Sequence, residues 1–271
     1  MYRYAQFSLI LFLLNGLIVR SQSVDTLSAQ LKIPGTFDYI AADPLGYIYA
    51  VKGEEVYKFN EKGDTLYQQS SKQYGTVSHL DASQSMRILL YFENQQAIGF
   101  TDNTLSWHKT PQSLNSSNVP FPTAVCQSFL DNNLWVYDDA TLSLLKLNTK
   151  LEVIQRNENM PAMLGQPFSP IFMMEQSDKL YVLDSVSGIF VFDLFGSLNR
   201  HFKMKGVQKI DVKNGNIFFL KKDKIYPFMP LEPIQVPIKT DGIKQIKDFA
   251  LLDKKVAILS KKGIYILSRK R

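Results

Sequence analysis

Three histidines, one cysteine and a scatter of acidic residues are the stock from which this 271-residue chain could build a reactive centre. His79, His108 and His201 have no second histidine two to four residues away, the spacing that sets two metal ligands on one face of an element. No G-x-S-x-G elbow offers a serine nucleophile. The lone Cys126 excludes both an intramolecular disulfide and a cysteine zinc cage, and beside Val125 it reads as a small buried hydrophobe. What remains is a set of four residues, Asp38, His79, Asp211 and Asp248, which fall at corresponding places when the repeats described below are aligned. Oxygen ligands gathered about one axis suit Ca²⁺ or another divalent cation. Such an ion would polarise a carbonyl for lactonase- or esterase-type hydrolysis. Val125 and Ile171 stand at the same places in two other repeats, so the ring of ligands has gaps. The bland reading, acidic side chains capping turns and holding water, is favoured over chemistry.

The elements that would position these residues are short. Six apolar runs recur, at Tyr47–Val51, Ile88–Phe92, Leu134–Asp138, Leu180–Asp184, Ile217–Lys221 and Val256–Ser260, with starts 41, 46, 46, 37 and 39 residues apart. A second run follows each, as in Val56–Asn60, Leu144–Asn148 and Ile189–Asp193. Both are rich in β-branched and aromatic residues, and Lys52-Gly53, Ser187-Gly188 and Lys262-Gly263 supply hairpin turns. A weaker strand precedes each pair, beginning near Asp38, His79, Val125, Ile171, Ile210 and Asp248, and a more polar one follows most pairs, as at Thr65–Ser70, Glu152–Arg156 and Leu198–Lys203. Four strands in about 40 residues, with no 3.6-residue stripe, is the unit of a β-propeller blade.

The reading is therefore all-β: one six-bladed β-propeller domain over residues 24–271, with five and seven blades as neighbouring counts. The sixth repeat stops at Arg271 without a fourth strand, while the surplus segment Val24–Ile33 has strand character. Pairing that N-terminal segment with the last blade would close the ring and leave no open edge. Ahead of it, residues 1–23 read as a signal peptide: Arg3, then the mostly apolar run Phe7–Val19, then Ser21-Gln22-Ser23. Thirteen residues at about 1.5 Å each give roughly 20 Å of helix, short of the ~30 Å hydrocarbon core. Gln22 and Ser23 resemble the ends of bacterial export signals. The mature chain is expected to be exported, to the periplasm, the outer-membrane surface or the medium, and not to span a membrane.

The fourth repeat, Lys179–Gly196 (KLYVLDSVSGIFVFDLFG), resembles the NHL-type unit of six-bladed propellers, and the first (GYIYAVKGEEVYKFNEKG) is similar. Repeats two, three and five depart from the pattern. The resemblance implies blades and no particular activity, since such folds serve hydrolases, lactonases, oxidoreductases and plain scaffolds.

Charge is more telling. Residues 24–199 hold 11 Lys and Arg against 19 Asp and Glu, a net −8, whereas residues 200–271 hold 18 against 6, a net +12. Lys221, Lys222, Lys254, Lys255, Lys261 and Lys262 crowd the turns of this basic sector. Two long connections, Ser113–Pro122 and Asn157–Pro170, lengthen the period and are expected to project from one face. Met160, Met163 and Phe168, with Phe121, are expected to form an exposed apolar contact surface there. The reading that results is a non-enzymatic binding scaffold of the bacterial envelope. It would hold an envelope protein or another anionic surface, with no cofactor. Nucleic acid is disfavoured because no aromatic and basic residues interleave. The alternative is the metal-dependent hydrolase.

Overall fold

The computed structural model describes residues 27–232, 234–240 and 242–269; the expected signal peptide lies outside them. The described strands form six antiparallel sheets. The first, β1 (Leu27–Pro34), joins the last sheet. Blade one is β2 (Tyr39–Ala42), β3 (Ile48–Lys52), β4 (Glu55–Phe59) and β5 (Thr65–Ser70). Blade two is β6 (His79–Asp81), β7 (Ile88–Phe92), β8 (Ala97–Thr101) and the two-residue β9 (Gln112–Ser113). Blade three is β10 (Pro122–Gln127), β11 (Leu134–Asp138), β12 (Ser143–Leu147) and β13 (Val153–Asn157). Blade four is β14 (Pro170–Gln176), β15 (Lys179–Asp184), β16 (Gly188–Phe192) and β17 (Leu198–Lys203). Blade five has three strands, β18 (Lys209–Lys213), β19 (Asn216–Lys221) and β20 (Lys224–Pro227). Blade six is β21 (Ile246–Leu251), β22 (Lys255–Ser260) and β23 (Gly263–Arg269), completed on its outside by β1.

This is the expected six-bladed propeller, closed as expected. Ile33 of β1 pairs with Ile264 of β23 and Leu27 with Arg269. The strand types follow from their surroundings. The second and third strands of a blade are covered on both faces by neighbouring blades, so β7, β11, β12 and β16 are buried at every position and read as unbroken apolar runs. Outer strands meet water, and β5 and β17 are polar and mostly exposed. The cores lie between blades: Ile40, Phe59, Leu259 and Ile266 join blades one and six, and Trp135, Tyr137, Leu180 and Phe190 join three and four. In blade five the connection after β20 substitutes for a fourth strand, its Ile238 N–H donating to the Ile225 carbonyl at 2.9 Å. Pro227 blunts that edge, having no N–H to offer a foreign strand.

Strands alternate in direction, which sorts the loops. Turns from first to second and third to fourth strands gather on one face, here the upper. Hairpins from second to third strands and the connections between blades gather on the lower. Both long connections therefore emerge on the lower face, as expected. Their apolar residues need correction: Met160, at the start of a one-turn helix α1 (Met160–Leu164), and Phe168 are buried. Phe168 packs edge-on against Tyr137 at 5.2 Å and Phe190 at 5.1 Å. The connection plugs the lower end of the gap between blades three and four, which needs an apolar stopper. Met163 and Phe121 do face solvent.

Candidate functional site

In every blade the innermost strand ends the sheet, so the backbone groups along its axis-facing edge lack a ladder partner. Buried N–H groups must be satisfied, and acidic side chains reaching across from adjacent blades do it. Asp248 of blade six accepts from the Ile40 N–H of blade one at 2.8 Å. Asp81 of blade two accepts from Gln127 of blade three at 2.7 Å, and Asp211 of blade five from Leu251 of blade six at 2.7 Å. Glu175 of blade four reaches back to blade three, accepting from the Phe129 N–H, the Ser128 hydroxyl and the Trp135 indole N–H. Gln176 performs the same service between blades four and five, donating to the Val212 carbonyl. These groups staple the wheel at its hub.

The four residues proposed as metal ligands stand at three depths in the channel. His79 pairs with Tyr91 and Asp248 with Leu259, equivalent levels in their blades. Asp211 lies two residues further along its strand, level with Asp81. Asp38 precedes β2, is exposed, and accepts from the Gly53 N–H of a lower-face hairpin at 2.7 Å. Two residues are about 6.6 Å of strand, too far for one ion to span. Among the described residues no group of three His, Cys, Asp or Glu is placed to hold a metal.

The hub does carry perturbed groups. Lys209 lies 3.1 Å from the Asp248 carboxylate and 5.4 Å from the Phe172 ring centre. Phe172 in turn meets His79 edge-on at 5.4 Å, so the three narrow the channel from blades two, four and five. Burial pulls the His79 imidazole down to about 4; the Asp81 charge opposes this and Lys209 adds to it. Burial likewise pushes the Asp211 carboxyl up to about 6 against two backbone N–H bonds and the Lys209 charge. Above this waist lies a cavity of about 280 Å³.

The basic set is divided between the faces. Lys221 and Lys222 end the β19–β20 hairpin, and Lys261 and Lys262 the β22–β23 hairpin, so these four share the lower face on adjacent blades. Lys254 and Lys255 lie at the β21–β22 turn on the upper face, and Lys255 pairs with Glu61 at 2.6 Å. The four lower-face lysines make no ion pair among the described residues. The remaining histidines are structural or exposed: His201 stacks on Phe190 at 4.0 Å with a ring nitrogen 2.9 Å from the Ser187 carbonyl, and His108 faces solvent. Cys126 is buried in the core between blades three and four, where burial holds its thiol well above the usual range. Asp81, Glu175 and Gln176 were passed over in the sequence. Their signal was a carboxylate or amide inside or ending an otherwise apolar inner strand.

No family model matches the chain, and no curated protein is similar in sequence. Solved structures are similar in shape. A streptogramin B lyase shares 12% identity at a TM-score of 0.63, the match covering 90% of this chain and 97% of that one. The WD40 domain of Neurospora crassa Pan2 shares 8% at 0.61, covering 88% and 90%. The WD40 propeller of Doa1 shares 10% at 0.60, covering 91% and 98%. Such likeness shows the fold alone.

Proposed function

We propose that this protein is an exported, non-enzymatic propeller of the bacterial envelope that holds an anionic macromolecular partner on the lower face of blades five and six. One observation carries the reading: Lys221, Lys222, Lys261 and Lys262 converge on adjacent lower-face hairpins without ion pairs among the described residues. An unneutralised cluster of this kind steers and retains an opposite charge. The hub carboxylates support the non-enzymatic half, because Asp211 and Asp248 are spent on backbone N–H groups of the next blade. The NHL-like pattern of blades one and four belongs to the same proposal, as kinship with that class of interaction propellers.

The test compares binding to phosphatidylglycerol-containing vesicles and to an acidic envelope-protein fraction, each across a salt series. Binding should weaken as ionic strength passes about 0.1 M, where the Debye length is about 10 Å. Reversing Lys221, Lys222, Lys261 and Lys262 to Glu together should abolish it, while Lys254→Glu should leave it nearly unchanged. Unaltered binding by the fourfold reversal defeats the reading. Sequencing the N-terminus of the protein recovered from cell fractions tests export, with a mature start near Ser23 expected.

A further inference from the structure

We propose that the channel cavity is a second binding site, one that takes a compact organic cation, an amine on a small apolar body, held between Asp211 and His79. This goes beyond the basic-sector reading, lies at the hub instead of the lower face, and stands or falls independently.

The cavity exists because inner strands carry small residues where they approach the axis. Ala41 and Ala42 of blade one, Ala82 of blade two and Ala250 of blade six line it, with Met174 and Phe172 completing an apolar wall. Its charged lining is biased. Asp43, Asp81, Glu175 and Asp211 face Lys209 and Lys213, and Lys209 is already bound to Asp248. An anion entering here would meet carboxylates in a poorly solvated space, whereas a cation would be welcomed.

Three polar groups retain unspent capacity. The Ser83 hydroxyl oxygen is buried in the lining and has no hydrogen-bond partner, an arrangement that costs free energy until something fills it. His79 lines the cavity and makes no hydrogen bond to a described residue; held neutral by its burial, it keeps a lone pair for an ammonium. Asp211 accepts one backbone N–H on each oxygen, leaving room on both. In a six-membered ring blade five stands opposite blade two, so Asp211 and the His79–Ser83 pair approach from opposite walls. Phe172 beside them presents an aromatic surface suited to a cation.

The intact protein would be titrated with benzylamine, benzyl alcohol and benzoate while the imidazole signals are followed by ¹H–¹⁵N spectroscopy. Only three histidines contribute, so His79 can be read separately from His108 and His201. Benzylamine should shift His79 alone, saturably, and bind about tenfold more tightly than benzyl alcohol, as one desolvated charge pair allows; benzoate should not bind. Asp211→Asn, which keeps an acceptor for the Leu251 N–H, should bring benzylamine and benzyl alcohol within about twofold of each other. If that variant does not fold, His79→Phe, read by calorimetry, should lower benzylamine affinity severalfold. The fourfold lysine reversal should leave benzylamine binding intact. Benzylamine that leaves His79 unmoved, binds no better than the alcohol, or keeps its advantage in both variants overturns the proposal.

Discussion

His79 and Asp211 pull stability in opposite directions with pH. The imidazole titrates near 4 in the folded protein and near 6.5 when unfolded, so between those values the unfolded chain holds the extra proton. Its contribution therefore grows as pH rises from about 4 to about 6.5. Asp211 is the reverse case: raised to about 6, it keeps its proton in the folded state after the unfolded chain has lost it near 4. Its contribution falls as pH rises through that window. Each effect is on the order of 2 kcal/mol, at about 1.4 kcal/mol per pK unit. Relative to the parent protein, Asp211→Asn should gain stability on going from pH 4 to pH 6, and His79→Phe should lose it. Urea midpoints at pH 4, 5 and 6 measure this, and profiles parallel to the parent in both variants would refute the assignment.

At the scale of the strand, the inter-blade staples make a sharper claim. Glu175 is buried and satisfies three donors of blade three; truncating it to alanine strands all of them. At about 1–3 kcal/mol for each unpaired buried donor, with partial relaxation, Glu175→Ala should cost on the order of 4 kcal/mol. Glu175→Gln, which keeps acceptor oxygen but adds a donor, should cost about half as much. Differential scanning calorimetry distinguishes them, with a fall in Tm of about 8–16 °C expected for alanine at this chain length. A shift of under 2 °C would show that the staple carries no weight. These residues also mark what was legible in advance. The unbroken apolar runs named the middle strands within a residue or two, and the missing fourth strand of blade six against the surplus of Val24–Ile33 gave the closure. The role of a carboxylate was not readable in the same way. Asp81 and His79 are two residues apart, yet only the stagger between blades decides that one reaches a neighbour's backbone and the other an open cavity. Met160 and Phe168 misled for a related reason: a proline-rich connection looks like surface until the gap it must stopper is known.

For the whole molecule, everything depends on the joint between β1 and β23. Gly263 sits at that joint with a φ of +139°, and a Cβ there would run into the Ile33 carbonyl oxygen. Gly263→Ala should thus loosen the seam through both strain and collision, by on the order of 3 kcal/mol. Hydrogen exchange should show it first in β1 and β23, with protection in blade three little changed. Uniform loss across all blades would mean that the wheel opens only as a unit.

The same joint orders events in time. The strand that completes the last sheet leaves the ribosome among the first, and its partner among the last. At roughly 5–20 residues per second the early segment waits on the order of ten to fifty seconds for its mate. Until then two raw sheet borders face the surroundings, one at each end of an open arc. A chaperone that shields bare β-edges, or a translation pause late in the message, would act on this protein during that interval.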